Sequence, residues 1–200
     1  LENGCHLIGL FLQEPLKSTS PADVIGEIHA QGGLALVPHP FRKDGLLGPG
    51  AADARSCDEA DAFEIHNAKC GHALNAMARN HLATTARGIF GGSDAHYEAD
   101  VGECVNVIAW QGGIERTLRA MFTRDAAFTI LARPQRPGDG ERGYAPWYHR
   151  AKSVCRVPRP LLPAAKQLYR YYWNHLRPAA RAPLEIVHEE QPAPARLSHA

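Results

Sequence analysis

The chain has 200 residues, of which 44% are hydrophobic and 22% charged, and its formal net charge is +1 at pH 7. This length suits one domain with an appendage, and it is enough to bury a substantial core. The small net charge argues against a dominant polyanionic partner, and no apolar run reaches the ~20 residues that span a membrane. Five scattered cysteines without a CxxC pair argue against a disulfide framework, so we predict a reducing, cytoplasmic location.

The charge is distributed unevenly along the chain. Residues 133–200 contain twelve Lys or Arg against five acids, whereas residues 1–132 contain ten basic and sixteen acidic residues. Pro and Gly are frequent between 134 and 146, and residues 161–176 have the apolar spacing of an amphipathic helix. We therefore predict an acidic domain over 1–132 and a Pro-rich basic extension over 133–200, with one helix and a disordered end.

Short apolar runs alternate with segments of helical spacing over the first 122 residues. The first helix has a clear start, because Ser20 is a suitable cap and Pro21 suits the first turn. In chain order the patterns predict strands at 7–12, 34–37, 62–65, 89–92 and 105–108, and helices from Pro21 to Gly32, at 73–82 and at 114–122. Strands that alternate with helices form parallel sheets, so the pattern favours an α/β barrel or a piece of one.

Polar residues follow several of these strands at their carboxyl ends. His39, Asn67, Asp94 and His96 all occupy such positions. Open parallel sheets and barrels place their active sites at this edge. We therefore expect these side chains to lie near one another.

The segment from Gly91 to His96 is the clearest candidate for a metal site. In an extended segment, residues two apart point the same way, so Asp94 and His96 would face one centre. The glycine pair before them lets the backbone approach closely. Oxygen and nitrogen donors suit zinc, manganese or iron better than calcium. An isolated Asp-x-His pair is often accidental, but its position after a buried strand favours a site.

Two residues on the neighbouring strands have open interpretations. His39 lies between Pro38 and Pro40, in a rigid turn that suits a preorganised ligand but equally a solvated histidine. Its place on the same edge as Asp94 favours the ligand. Glu64, inside an apolar strand, must be paired, protonated or metal-bound, because a bare buried carboxylate is costly. Structural pairing and a functional role are equally open for it.

Four ordered motifs resemble the PHP (polymerase and histidinol phosphatase) family. They are His6-Leu7-Ile8-Gly9-Leu10, Gln31-Gly32-Gly33 through Pro38-His39-Pro40-Phe41, Phe63-Glu64-Ile65-His66-Asn67 and Gly92-Ser93-Asp94-Ala95-His96. The resemblance implies a distorted (β/α)7 TIM-like barrel that hydrolyses phosphate esters with two or three Zn, Mn or Fe ions. The implied substrate is a small phosphorylated molecule, while nucleic acid is a less favoured partner.

The resemblance also implies roles for individual residues. His6, His39, Asp94 and His96 match metal ligands, and Glu64 and Asn67 match a motif at the edge of the site. We predict Asp94, His96 and His39 as the catalytic set and Asn67 as a substrate contact. Arg42 or Lys43, in the loop after His39, is a candidate contact to substrate phosphate, although a solvated loop charge is the simpler interpretation.

The family's first-strand His-x-His pair is absent from this sequence, and so is its bridging Glu. We therefore expect that the amino-terminal strands of the barrel are missing. This departure leaves two alternatives to a phosphoesterase. One is a catalytically incomplete scaffold. The other is a nucleic-acid-processing protein that uses the aromatic and basic extension to bind single strands.

Overall fold

A computed structural model describes residue 1 and residues 4–48, 58–96, 98–135 and 183–191. The first sheet has the order β1–β2–β3–β4, with strands Ile8–Leu10, Leu34–Val37, Ala62–Asn67 and Gly88–Gly92. Strands β2, β3 and β4 are parallel, and all residues of β2 and β3 are buried. The continuous apolar run of β2 predicted this, because parallel strands are covered on both faces.

Strand β1 differs from the prediction. It is three residues long instead of six, it pairs antiparallel with β2, and Ile8 is 40% exposed. The apolar run at residues 7–12 predicts a strand covered on both faces, and for β1 this prediction is wrong. The strand stops before Phe11, whose φ of 61° turns the chain out of the sheet.

The three α-helices confirm the predicted periodicity. Helix α1 (Pro21–Ala30) begins at Ser20, whose hydroxyl accepts a hydrogen bond from the Asp23 N–H at 3.3 Å. It buries Val24, Ile25 and Ile28 against the sheet. Helices α2 (His72–Leu82) and α3 (Ile114–Phe122) occupy the predicted segments to within one residue. No helix in the described part of the chain is long and apolar enough to cross a membrane.

A second, antiparallel sheet has the order β5–β6–β7, with strands Cys104–Ile108, Phe128–Ala132 and Glu185–Glu190. Strand β6 was not predicted. Strand β7 lies in the stretch predicted to be disordered, and for these six residues that prediction is wrong, because pairing with β6 satisfies the backbone. The helix predicted at 161–176 lies outside the described residues.

The two sheets meet where β4 lies beside β5 and β6. The Asn106 side chain replaces strand pairing here, since its Oδ1 accepts from the Gly91 N–H at 2.9 Å and its Nδ2 donates to the Gly91 carbonyl at 2.8 Å. A Cβ at Gly91 would lie 2.5 Å from the Ile130 side chain and 2.7 Å from Cys104 Sγ, so this close approach requires glycine. The architecture is mixed α/β. Within the described ranges the strands do not close into a barrel, so the barrel stays a prediction.

Candidate metal centre

The loop after β2 folds back on itself and brings three potential ligands together. The Leu47 N–H donates to the Pro40 carbonyl at 2.8 Å, and the His6 N–H donates to the Asp44 carbonyl at 3.0 Å. Gly45 lies against the backbone of the turn, where a Cβ would lie 2.2 Å from the His39 carbonyl oxygen. This packing places Asp44 and His6 beside His39.

His6, His39 and Asp44 offer ligand atoms that all lie within 4.8 Å of one another. His6 Nδ1 is 3.2 Å from His39 Nε2, and His39 Nδ1 is 3.6 Å from Asp44 Oδ1. His39 is 4% exposed, and its Nδ1 has no hydrogen-bond partner among the described residues. With Nδ1 facing the Asp44 carboxylate, the ring presents Nε2 to His6 and Arg42, and Nε2 is the nitrogen that could bind an ion.

Arg42 occupies the middle of this group. Its Nε and Nη2 donate to the two carboxylate oxygens of Asp44 at 2.5 and 2.8 Å. Its Nη1 donates to Asp94 Oδ2 at 2.9 Å, and its Nη2 is 3.1 Å from His39 Nε2. Arg42 therefore joins the loop after β2 to the segment after β4.

Asp94 and His96 are placed differently from the prediction of an extended segment. Asp94 adopts φ 48°, and its carboxylate points to Arg42. His96 turns back on its own loop, with Nδ1 2.8 Å from the Asp94 carbonyl oxygen, and its side chain is 56% exposed. The structure thus brings Asp94 to the group through Arg42, whereas His96 lies at the exposed rim.

Glu64 and Asn67 lie beneath the group. Glu64 Oε2 accepts hydrogen bonds from the His39 N–H at 2.5 Å and from Asn67 Nδ2 at 2.8 Å. Asn67 Oδ1 accepts from the N–H groups of Lys69 and Cys70. Both side chains are 3% exposed. Structural pairing, one of the two interpretations open for Glu64, is therefore present, and Asn67 holds the carboxylate and the following turn.

The pKa values follow from burial and from Arg42. Burial, and next the Arg42 charge, lower the pKa of His39 to about 4, which leaves the imidazole neutral as a ligand must be. The hydrogen bonds from Arg42 lower the pKa of Asp44 to about 2. Burial raises the pKa of Glu64 to about 7, against the hydrogen bonds from Asn67 and the His39 backbone. His39 thus offers a neutral nitrogen donor and Asp44 an ionised oxygen donor.

These donors fit a divalent ion. Two imidazoles and a carboxylate suit zinc, manganese or iron, whose ligand distances of about 2.0–2.3 Å are compatible with donor atoms a few ångströms apart. The group could hold a metal ion, and its donors leave the identity of that ion open. Sequence reasoning placed His6 and His39 here but missed Asp44. The only available signal was that Asp44 follows His39 in a loop containing Gly45 and Gly48, which permit a tight return.

A buried ion pair supports the Asp94–His96 segment from below. Lys69 Nζ lies 2.6 Å from Asp100 Oδ1, and Asp100 is fully buried. The other carboxylate oxygen of Asp100 accepts the His96 N–H at 3.2 Å. Lys69 follows β3 and Asp100 precedes β5, so the pair connects the two sheets.

Comparison with known families supports the resemblance. Residues 72–119 match the family model described as PHP-associated, which is consistent with a PHP-family protein. The match contains Asp94 and His96 but not His6 or His39. No curated protein matches the chain significantly. The match supports the predicted resemblance over about a quarter of the chain and leaves activity, substrate and metal open.

Proposed function

We propose that this chain is a metal-dependent phosphoesterase that hydrolyses small phosphate esters. The observation that carries the proposal is the His6–His39–Asp44 group, in which two imidazoles and a carboxylate bring their ligand atoms within 4.8 Å of one another. The PHP-associated match, which includes Asp94 and His96, supports a PHP-family context for the neighbouring group. A cytoplasmic location and a mononuclear or larger Zn, Mn or Fe centre belong to the same proposal.

We assign separate roles to the residues of the group. His6, His39 and Asp44 would hold the ion, with Asp94 and His96 completing the ligand set from the opposite loop. A bound divalent ion would lower the pKa of a water molecule and stabilise the charge on the phosphoryl oxygens. Arg42, the cation of the group, is suited to bind a phosphate, because guanidinium donors pair with phosphate oxygens in a bidentate manner. Asn67 would act by positioning Glu64, because its amide is buried.

A catalytically incomplete scaffold is the second candidate, and one observation favours it. Arg42 already neutralises Asp44 and Asp94, so the group is a stable ion network without any metal. In that case the site would hold the two loops together and would not perform chemistry.

Metal analysis with an activity assay separates the two candidates. We expect the purified chain, after dialysis against Zn²⁺ or Mn²⁺, to retain about one equivalent or more. We expect Asp94→Asn to lower the kcat for a phosphomonoester on the order of 100-fold. The matched control is Asp58→Asn, an exposed carboxylate outside the group, which should keep the wild-type rate. Retention of clearly less than one equivalent, or equal rates for the two variants, would refute the proposed function.

A further inference from the structure

Arg42 satisfies the same atoms that a metal ion would use. Its guanidinium engages both oxygens of Asp44, one oxygen of Asp94 and Nε2 of His39. The side chain is only 15% exposed, so these contacts are largely shielded from water. No other Lys or Arg contacts this group in the described part of the chain.

A divalent ion and this guanidinium compete for the group. His39 Nε2 has one lone pair, which can accept an N–H of Arg42 or bind an ion but not both, whereas a carboxylate has lone pairs for an ion and a hydrogen bond. Like charges also repel strongly when they share a buried site, because little water screens them. An ion bound to His39 Nε2 would therefore exclude Arg42 from this nitrogen and be repelled by the guanidinium if it stayed on Asp44 and Asp94.

We propose that Arg42 is an internal cation that competes with a divalent metal ion for Asp44, Asp94 and His39, so that metal binding displaces its guanidinium. This inference rests on the proposed metal site. The backbone of Arg42 stays in place during the exchange, since its N–H donates to the His39 carbonyl at 3.0 Å and its carbonyl accepts from Gly45 at 2.8 Å. Only the side chain moves.

The displaced side chain then acquires a second role. Its backbone remains two residues from Asp44 and three from His39, so the freed guanidinium stays at the mouth of the site. There it would be able to contact a phosphoryl group that enters the site. Metal binding thus converts Arg42 from a partner of Asp94 into a phosphate contact, which couples metal loading to substrate affinity.

Metal affinity in the absence of substrate tests the competition directly. We expect Arg42→Met to bind Zn²⁺ about 10-fold or more tightly than wild type in chelator-buffered titrations, because the ion no longer has to displace a bound cation. Lys43→Met is the matched control. It removes the same charge from the adjacent, exposed position, and its affinity should stay within about 3-fold of wild type. Arg42→Lys, which keeps a charge but has fewer donors, should fall between them.

A second measurement uses the unaltered chain and does not depend on the folding of a variant. In the metal-free protein the Arg42 Nε–H donates to Asp44, so its NMR signal should be slowed in exchange with water. Adding Zn²⁺ should shift this signal and speed its exchange. Arg42→Lys identifies the signal by its loss.

The outcomes distinguish this inference from the proposed function. Tighter Zn²⁺ binding by Arg42→Met than by Lys43→Met supports the competition, even if the wild-type chain binds too weakly to be an enzyme. Equal affinities of wild type and both variants, or an Arg42 signal unchanged by saturating Zn²⁺, would overturn it while the metal site stands. Absence of Zn²⁺ binding by all of the proteins would overturn both.

Discussion

The two sheets of this chain use their side chains in different ways. In the first sheet, β2 and β3 are buried throughout, and the polar residues stand at the strand ends. In the second sheet, β6 alternates, with Phe128, Ile130 and Ala132 buried and the residues between them half-exposed. The first sheet therefore carries the residues of the candidate site, whereas the second sheet packs beside it with one apolar face.

The second sheet nevertheless contacts the segment that leads to Asp94 and His96. Asn106 and Ile130 of the second sheet contact Gly91, three residues before Asp94. Asp100, at the approach to β5, holds the backbone of His96. The comparison teaches that some of the groups that hold the Asp94–His96 segment lie on the second sheet or at the approach to it. Changes in the second sheet should therefore reach the site, and three experiments test this division.

The largest effect is expected from Lys69→Met. This change removes the Lys69 ammonium from the fully buried Asp100 carboxylate, and breaking a buried ion pair by removing one member typically costs about 3–5 kcal/mol in the free energy of unfolding. Urea unfolding measures the loss. Lys17→Met, at an exposed lysine, is the control and should stay within about 0.5 kcal/mol of wild type. Equal stability of the two variants would show that the Lys69–Asp100 pair does not stabilise the contact between the sheets.

The next effect is a change of stability with pH, and it arises from Glu64 in the first sheet. Burial raises the pKa of Glu64 from 4.5 to about 7, so the folded protein binds this proton more tightly than the unfolded chain does. The corresponding stability is fully present below pH 4.5 and is lost as the pH rises through 7. In chelator, the stability of wild type relative to Glu64→Gln should therefore fall by about 3 kcal/mol between pH 4.5 and pH 8. Parallel stability curves for the two proteins would contradict the buried, protonated carboxyl.

The smallest effect compares the two sheets through the same replacement, Ile to Val, at three positions. Ile65 in β3 and Ile130 in β6 are both 0% exposed, whereas Ile186 in β7 is 61% exposed. Replacing either buried residue by Val should cost about 1 kcal/mol, and Ile186→Val should change the stability by less than about 0.5 kcal/mol. Thermal or urea unfolding followed at two wavelengths supplies the values. If Ile130→Val behaved like Ile186→Val, the second sheet would not share the core of the first.

The first sheet could be predicted because its signals are local. Leu34–Val37 is a continuous apolar run, and Ser20-Pro21 marks the start of α1 within a few residues. The second sheet could not be predicted in full. Strand β7 carries three glutamates and becomes a strand only through pairing with β6, more than fifty residues earlier in the chain. Such pairing depends on tertiary contacts that no window of sequence contains.

The residues of the candidate site could likewise be predicted only in part. Strand-end logic brought His39 and Asp94 to one edge, and the structure places them on opposite sides of Arg42. Asp44 was missed because the return of its loop depends on backbone hydrogen bonds and not on periodicity. The ion network of Arg42 was also missed, since charge in a loop is normally interpreted as solvated.

The backbone at His39 and Asp94 has a consequence for how this chain would respond to selection. Both residues adopt positive φ, 32° and 48°, a region in which a side chain other than Gly, Asn or Asp is disfavoured. A histidine held there costs on the order of 1 kcal/mol or more, which the surrounding fold must offset. A laboratory selection for thermal stability alone would therefore favour glycine or asparagine at position 39, whereas aspartate at position 94 already suits its backbone. A selection for metal binding would oppose the replacement of His39, so the two selections would give different residues at this position.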